Sequence, residues 1–212
     1  MGKQRRIKHV TDNRDKQQTY IEQNEQLNKA LENKFYFEAI MIEYAMLEDR
    51  MKSFIYHTGG LDNRLSYQLD VDKTKPHIAK IVEDYKTRKG NGNLDLGTIT
   101  AKETVIKCLC KWAKDENKKF DDSNEYLSVL NEQLRSRIDP DDLLNLIERI
   151  DVWRDFRNEF VHTLMNKNLE DMKDKLSVQA TEGKKLVKEI SRYVNRIKYY
   201  GKIRKAAGLE TE

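Results

Sequence analysis

Apolar side chains recur at spacings of three and four residues along most of the chain, which is the pattern of amphipathic helices. This pattern and its cap signals predict helices over residues 12–31, 35–57, 76–85, 100–114, 122–137, 139–166 and 169–200. The alternation of polar and apolar residues that marks a half-buried strand persists nowhere. We therefore predict an all-α fold, an antiparallel helical bundle. Residues 12–212 form a single domain with a less regular segment at about 59–99, and residues 1–11 form a flexible basic arm.

The most apolar segment is residues 35–57. From Phe35 to Leu47 it is hydrophobic nearly all the way round, with Glu38 and Glu43 its only charges. A helix of this kind must be covered on all sides, so we expect it at the centre of a bundle or at the junction of two bundles. Glu43 would then be buried and would need a partner, either in a functional site or in the core.

Helix starts and weak points can also be predicted from the sequence. Thr100 with Glu103 has the spacing of a capping box, and Asp139 before a proline is a strong start signal. The pattern over residues 139–166 fits either one long helix or two helices with a bend between them. Gly183 is a weak point in the last helix, because glycine is a poor helix former.

Composition narrows the class of protein. The 212 residues, 38% of them hydrophobic, are enough to bury one sizeable core. No apolar run approaches the length that crosses a bilayer, and the basic start lacks the apolar stretch of a secretory signal. We therefore expect a cytoplasmic protein without a membrane partner. Cys108 and Cys110 diverge on a predicted helix and are expected to be buried, unpaired thiols.

Positive charge is concentrated near the C-terminus. Residues 184–205 hold nine Lys or Arg and one acid, Glu189. Four of these cations recur every fourth residue and form a row on one helix: Lys184, Lys188, Arg192 and Arg196. Such a row complements the phosphates of RNA, although an ordinary solvated helix face has the same pattern.

Several kinds of catalytic site are excluded by the residues present. The four histidines stand at positions 9, 57, 77 and 162, without the close pairing of metal ligands, so we expect no metal site and no cofactor. Paired carboxylates occur at predicted helix starts, where capping explains them. A serine nucleophile on a strand-to-helix turn is also missing.

The stretch Trp153–Met165, WRDFRNEFVHTLM, places a reactive pair on a helix with two different faces. Its apolar stripe is predicted to face the core and consists of Trp153, Phe156, Phe160 and Leu164. His162 points nearly the opposite way, and Asn158 lies one turn before it on the same face. Arg157 sits at the edge of the stripe and is long enough to swing its guanidinium toward Asn158.

Arg157 is followed directly by Asn158, and four residues separate Arg157 from His162. This spacing resembles the R-x4-6-H motif of HEPN domains, small all-helical proteins found among prokaryotic toxins and defence systems. The resemblance is carried by this one helix. It implies a HEPN-like fold and a homodimer that brings Arg157, Asn158 and His162 of both copies to one cleft. It further implies RNA cleavage without a metal, restrained by a partner such as an antitoxin or a nucleotidyltransferase.

The residue types suit the implied endoribonuclease reaction, in which the ribose 2′-hydroxyl attacks its neighbouring phosphate. His162 can take or deliver the proton, and Arg157 can stabilise charge on the phosphate. Asn158 can hold the imidazole or the phosphate, and Glu43 can orient Arg157 or His162. Because the nucleophile is the ribose hydroxyl, RNA would be cut and DNA spared.

Two alternatives remain at this level. The first is a non-catalytic helical module that binds RNA or nucleotides, or another protein, and uses the cationic row, with Arg157 and His162 only structural. The second concerns the motif itself, since Arg50 and His57, with six residues between them, also satisfy the loose spacing. His57 has a structural explanation, because it falls in the last turn of a predicted helix, where the helix dipole favours a cation.

Overall fold

The computed structural model describes residues 13–69, 77–86, 95–117, 124–163 and 169–209; the predicted N-terminal arm lies outside them. Its eight α-helices are α1 (Asn13–Glu32), α2 (Tyr36–His57), α3 (His77–Tyr85), α4 (Ile99–Lys114), α5 (Glu125–Gln133), α6 (Pro140–Thr163), α7 (Leu169–Ile197) and α8 (Lys202–Ala206). A π-helical turn, Leu134–Ile138, follows α5, and a 3₁₀ turn, Tyr199–Gly201, separates α7 from α8. Extended pairing among the described residues is limited to one bridge between Gln68 and Asp95, which confirms the all-α class.

α2 is the central helix of the fold. It packs against α7 along most of its length and against α1 and α4 on other sides. Buried residues of α2 run from Ala39 to His57. The start of the apolar segment is the exception to the expected complete covering, because Phe35 is 59% exposed and Phe37 is 38% exposed. One connected hydrophobic core draws side chains from all eight helices.

The helix directions are only partly antiparallel. α1 runs antiparallel to α2, and α6 runs antiparallel to both α4 and α7, as pairings such as Lys107 with Asp151 and Arg149 with Glu182 indicate. α2 and α7 run parallel instead: Glu43 lies over Gly183, and the later His57 shares a cleft with the later Lys198. The prediction of an antiparallel bundle is thus wrong for this pair. The helices between α2 and α7 in the sequence bring the chain back to the end of the bundle where α2 begins, so α7 runs in the same direction as α2.

The predicted capping box does not form. α4 begins with Thr98 as its N-cap, whose side chain accepts a hydrogen bond from the backbone N–H of Ala101 at 3.2 Å. Thr100 and Glu103 instead accept hydrogen bonds from Arg154 of α6. The local signal failed because an arginine distant in sequence competes for the same side chains.

The other helix signals have clear outcomes. Asp139 Oδ1 accepts hydrogen bonds from the backbone N–H groups of Asp141 (3.1 Å) and Asp142 (3.3 Å), which caps α6 as predicted. α6 then continues to Thr163 as one helix. α7 passes through Gly183 without a break.

The two cysteines are buried and unpaired, as expected. Among the described helices, none is long and apolar enough to cross a bilayer.

Candidate functional site

Arg157 projects from α6 onto the first half of α2. Its guanidinium carbon lies 4.3 Å from the centroid of the Tyr44 ring, and Nη2 lies 3.4 Å from the sulfur of Met41. Nη1 donates a hydrogen bond to Asn158 Oδ1 at 3.1 Å. All three contacts are with uncharged groups, so the positive charge of Arg157 is positioned without being neutralised by them.

His162 occupies the exposed face of the same helix. It lies one turn after Asn158, and side chains four residues apart on a helix are neighbours. Since Asn158 also holds Arg157, the amide links the guanidinium to the face that carries the imidazole. The structure therefore brings Arg157 and Asn158 together and leaves His162 open to solvent.

The opposite side of α6 is the predicted core face. Trp153 and Phe160 are buried, Phe156 is partly buried, and Leu164 lies outside the described residues. The Phe160 ring lies 5.7 Å from the ring of Phe37, between centroids. Beyond it, a shallow depression of about 510 Å³ opens between α6 and α7 with Phe156 in its wall. An apolar surface thus borders the helix that carries the motif.

The contacts of Glu43 are with residues other than Arg157 and His162. Its carboxyl is fully buried against Gly183 and the indole of Trp153, and neither oxygen has a hydrogen bond of good geometry. Burial raises the pKa of this carboxyl to about 9, opposed only in part by the nearby charge and backbone N–H of Lys184. Near pH 7 Glu43 is therefore a neutral acid in the core, and no hydrogen bond or ion pair joins it to the predicted pair.

The predicted cationic row lies in solvent on α7. All four of its side chains are exposed: Lys184, Lys188, Arg192 and Arg196. Lys184 Nζ donates to Asn28 Oδ1 at 2.8 Å, and the guanidinium of Arg196 lies 5.6 Å from the Tyr193 ring centroid. The row is accessible to a polyanion, but it is a convex helix face rather than a cleft.

The second pair with the motif spacing, Arg50 and His57, is held by packing. Arg50 pairs with Asp49 at 2.7 Å and lies 3.8 Å over the ring of Tyr20. His57 is 6% exposed and meets Tyr56 edge-on at 5.0 Å between ring centroids. His57 and Arg50 nevertheless line a cavity between α1, α2 and α7, whereas His162 is exposed on the open face of α6.

Comparison of the chain with protein-family models, with curated proteins and with solved structures finds no match in any of the three. Within the described ranges, no group of three or more His, Cys, Asp or Glu side chains is arranged to hold a metal ion.

Arg154 was missed by the sequence reasoning. The residue is 8% exposed. Its guanidinium pairs with the carboxylates of Glu103, Asp151 and Asp155, while Nη1 also donates to Thr100 at 3.1 Å. Burial raises the pKa of Glu103, and the Arg154 charge opposes that rise. The network fastens α4 to α6 one turn from Arg157. In the sequence, the one indication of this network was the position of Arg154 beside the apolar stripe.

Proposed function

We propose that the protein is a metal-independent endoribonuclease of HEPN type, with Arg157, Asn158 and His162 acting at a cleft between two copies of the chain. The observation that carries this proposal is the hydrogen bond from Arg157 to Asn158, one turn from the exposed His162. This bond holds the Arg157 cation among uncharged partners, on the helix whose exposed face carries the His162 imidazole. These are the two groups that RNA cleavage without a metal requires.

The proposed reaction is attack of a ribose 2′-hydroxyl on the adjacent phosphorus. A His162 imidazole accepts the hydroxyl proton as the new P–O bond forms, and the 5′-oxygen leaves with a proton from a second imidazole. Arg157 stabilises the charge that develops on the phosphate oxygens. The products are a 2′,3′-cyclic phosphate and a 5′-hydroxyl. Two copies of the chain supply the two imidazoles, so the monomer is an incomplete site.

Exposed apolar side chains around the motif support the proposed homodimer. Val152 is 72% exposed on α6, and Val178 is 65% exposed on α7 beside the depression that Phe156 lines. Phe35 and Phe37 are exposed at the start of α2. A second copy would remove this apolar surface from water, which favours association. An antitoxin or a nucleotidyltransferase that restrains the enzyme would act by covering His162.

The second candidate is a non-catalytic module that binds RNA or nucleotides. The exposure of the whole cationic row on α7 favours it, because the row could hold phosphates without any reaction. The two candidates differ in whether bound RNA is cut.

The test is incubation of the purified protein with single-stranded RNA in excess chelator. We expect cyclic phosphate ends, no cleavage of DNA of the same sequence, and a loss of about 10²–10⁴ in rate for His162→Ala. Glu148→Gln alters another exposed side chain of α6 and is the matched control, which should cut like wild type. Binding of RNA without cleavage by wild type, or full activity of His162→Ala with intact helical circular dichroism, contradicts the nuclease.

A further inference from the structure

A cleft of about 320 Å³ lies beside the second half of α2. Four cationic side chains line it: Lys16, Lys52, Arg64 and Lys102. They come from α1, from α2, from the segment after α2 and from α4, so only the fold brings them together. The exposed ring of Tyr67 forms another part of the wall.

A second cavity of about 310 Å³ continues the first one toward α7. The two cavities share Lys16 and Arg64, and the second adds Arg50 and Lys198. The described residues that line this second cavity include no carboxylate. Because the two cavities share Lys16 and Arg64, we treat them as one surface, which we call the α2 groove. Its cationic residues are Lys16, Arg50, Lys52, Arg64, Lys102 and Lys198.

The α2 groove carries more positive than negative charge. The two carboxylates among its described lining residues are both engaged: Asp49 pairs with Lys16 and with Arg50, each at 2.7 Å, and Glu48 pairs with Lys102 at 2.7 Å. Among the described lining residues there are therefore six cations and two acids, with the Lys102 ammonium fully buried in the wall. A surplus of this kind in a concave site concentrates anions from solution.

The surplus of positive charge affects the pKa of Lys52. Its ammonium lies 3.4 Å from the centroid of the Tyr67 ring, which is an uncharged partner. Burial and then the charges of Lys102 and Lys16 lower the pKa of Lys52 to about 8. A bound anion would offset the repulsion from Lys102 and Lys16, so a ligand would stabilise the charged form of Lys52.

We propose that the α2 groove binds the phosphodiester backbone of a single-stranded nucleic acid. The groove is lined by residues of α1, α2, α4 and α7, and cations line both of its cavities. Proteins that hold single strands combine such a groove with an aromatic side chain on which a base can stack. Tyr67 is 48% exposed, and because Lys52 lies over one face of its ring, the opposite face is the one on which a base would stack.

The groove leads toward the Arg157 contact. Met41, Glu48 and Lys52 lie on one face of α2, and Arg157 touches that face at Met41. Met41 and Lys52 are eleven positions apart, which corresponds to about 16 Å along the helix axis. Binding in the groove needs no cleavage. The further idea that a strand held in the groove continues to His162 rests on the proposed nuclease function.

Binding can be measured separately from cleavage with a fluorescent 2′-O-methyl RNA oligonucleotide, which lacks the attacking hydroxyl. Lys52→Gln with Arg64→Gln should weaken binding at least tenfold at low salt. The slope of log affinity against log salt should become shallower by about 1.4, since each lost phosphate contact contributes about 0.7. Lys52→Glu alone should also weaken binding, and Lys52→Arg should restore it. Glu148→Gln, which alters an exposed side chain of α6, should bind like wild type, whether or not the protein is a nuclease.

The matched control is Lys188→Gln with Arg192→Gln, which removes the same charge from the exposed row on α7. This pair should cost much less affinity than the groove pair. Equal or greater loss from the row variant would overturn the proposal, as would unchanged binding by a groove variant with intact helical circular dichroism. A mononucleotide that competes as strongly per mole as the oligonucleotide would also overturn it, because the groove would then hold one small ligand rather than a strand.

Discussion

Glu43 should make the stability of the fold decrease as the pH rises from about 5 to 9. Burial raises the pKa of its carboxyl from 4.5 to about 9 in the folded protein. Between these values the folded protein keeps the proton and the unfolded chain has lost it. Because the folded state binds more protons, its stability is fully present below the unfolded pKa and is lost as the pH rises toward the folded pKa.

The size of the effect follows from the same shift. One pKa unit corresponds to about 1.4 kcal/mol, so three pH units, from 5 to 8, can change the free energy of unfolding by about 4 kcal/mol at most. The effect of the Lys184 charge is already contained in the pKa of about 9, and relaxation around the carboxylate would reduce the limit further. We expect about 1 kcal/mol per pH unit.

The assay is urea unfolding of wild type and Glu43→Gln at each pH from 5 to 8. Glutamine has the shape of the protonated acid but cannot ionise, so the variant should gain stability over wild type as the pH rises. Glu38→Gln, an exposed position on the same helix, is the matched control and should follow wild type. A constant difference between wild type and Glu43→Gln over this range would refute the reasoning, because it would mean that the native carboxylate is already ionised or hydrated.

Three further changes test the packing that positions the site, each by denaturant unfolding. Gly183→Ala should destabilise the fold by about 1–3 kcal/mol, although alanine is the better helix former, because its methyl group would collide with Glu43. Arg154→Ala should cost about 3–5 kcal/mol by leaving the buried carboxylate of Glu103 without its partner, and a value under 1 kcal/mol would contradict a buried pair. Asp139→Ala should cost about 1 kcal/mol through the lost cap, whereas Asp139→Asn should cost much less.

Most helix positions could be predicted because the signals are local. The hydrophobic period locates α2 and α7, and the cap residue at Asp139 fixes the start of α6. The exposed position of His162 also follows from the period, since it lies opposite the buried stripe of the same helix. These properties depend on neighbours within one or two turns, which a single sequence displays.

The failures share a different cause, which is contact between distant segments. Thr100 and Glu103 have the spacing of a cap, but Arg154 of another helix takes both. Gly183 looks like a weak point when only propensity is considered. Glycine is required at this position because Glu43 of α2 occupies the space that a Cβ atom would fill. The cations of the α2 groove are likewise far apart in the chain and adjacent only in the fold.

Tyr44 offers a test of how the fold places Arg157. The guanidinium lies 4.3 Å from the centre of its ring, and such a contact contributes about 0.5–2 kcal/mol. If the ring holds Arg157 in position for the proposed reaction, Tyr44→Leu should lower kcat by about 2- to 30-fold. Tyr44→Phe keeps the ring and should cut RNA nearly as fast as wild type. Equal losses in both variants would assign the effect to the phenol hydroxyl, and no loss in either would mean that the bond to Asn158 positions Arg157 by itself.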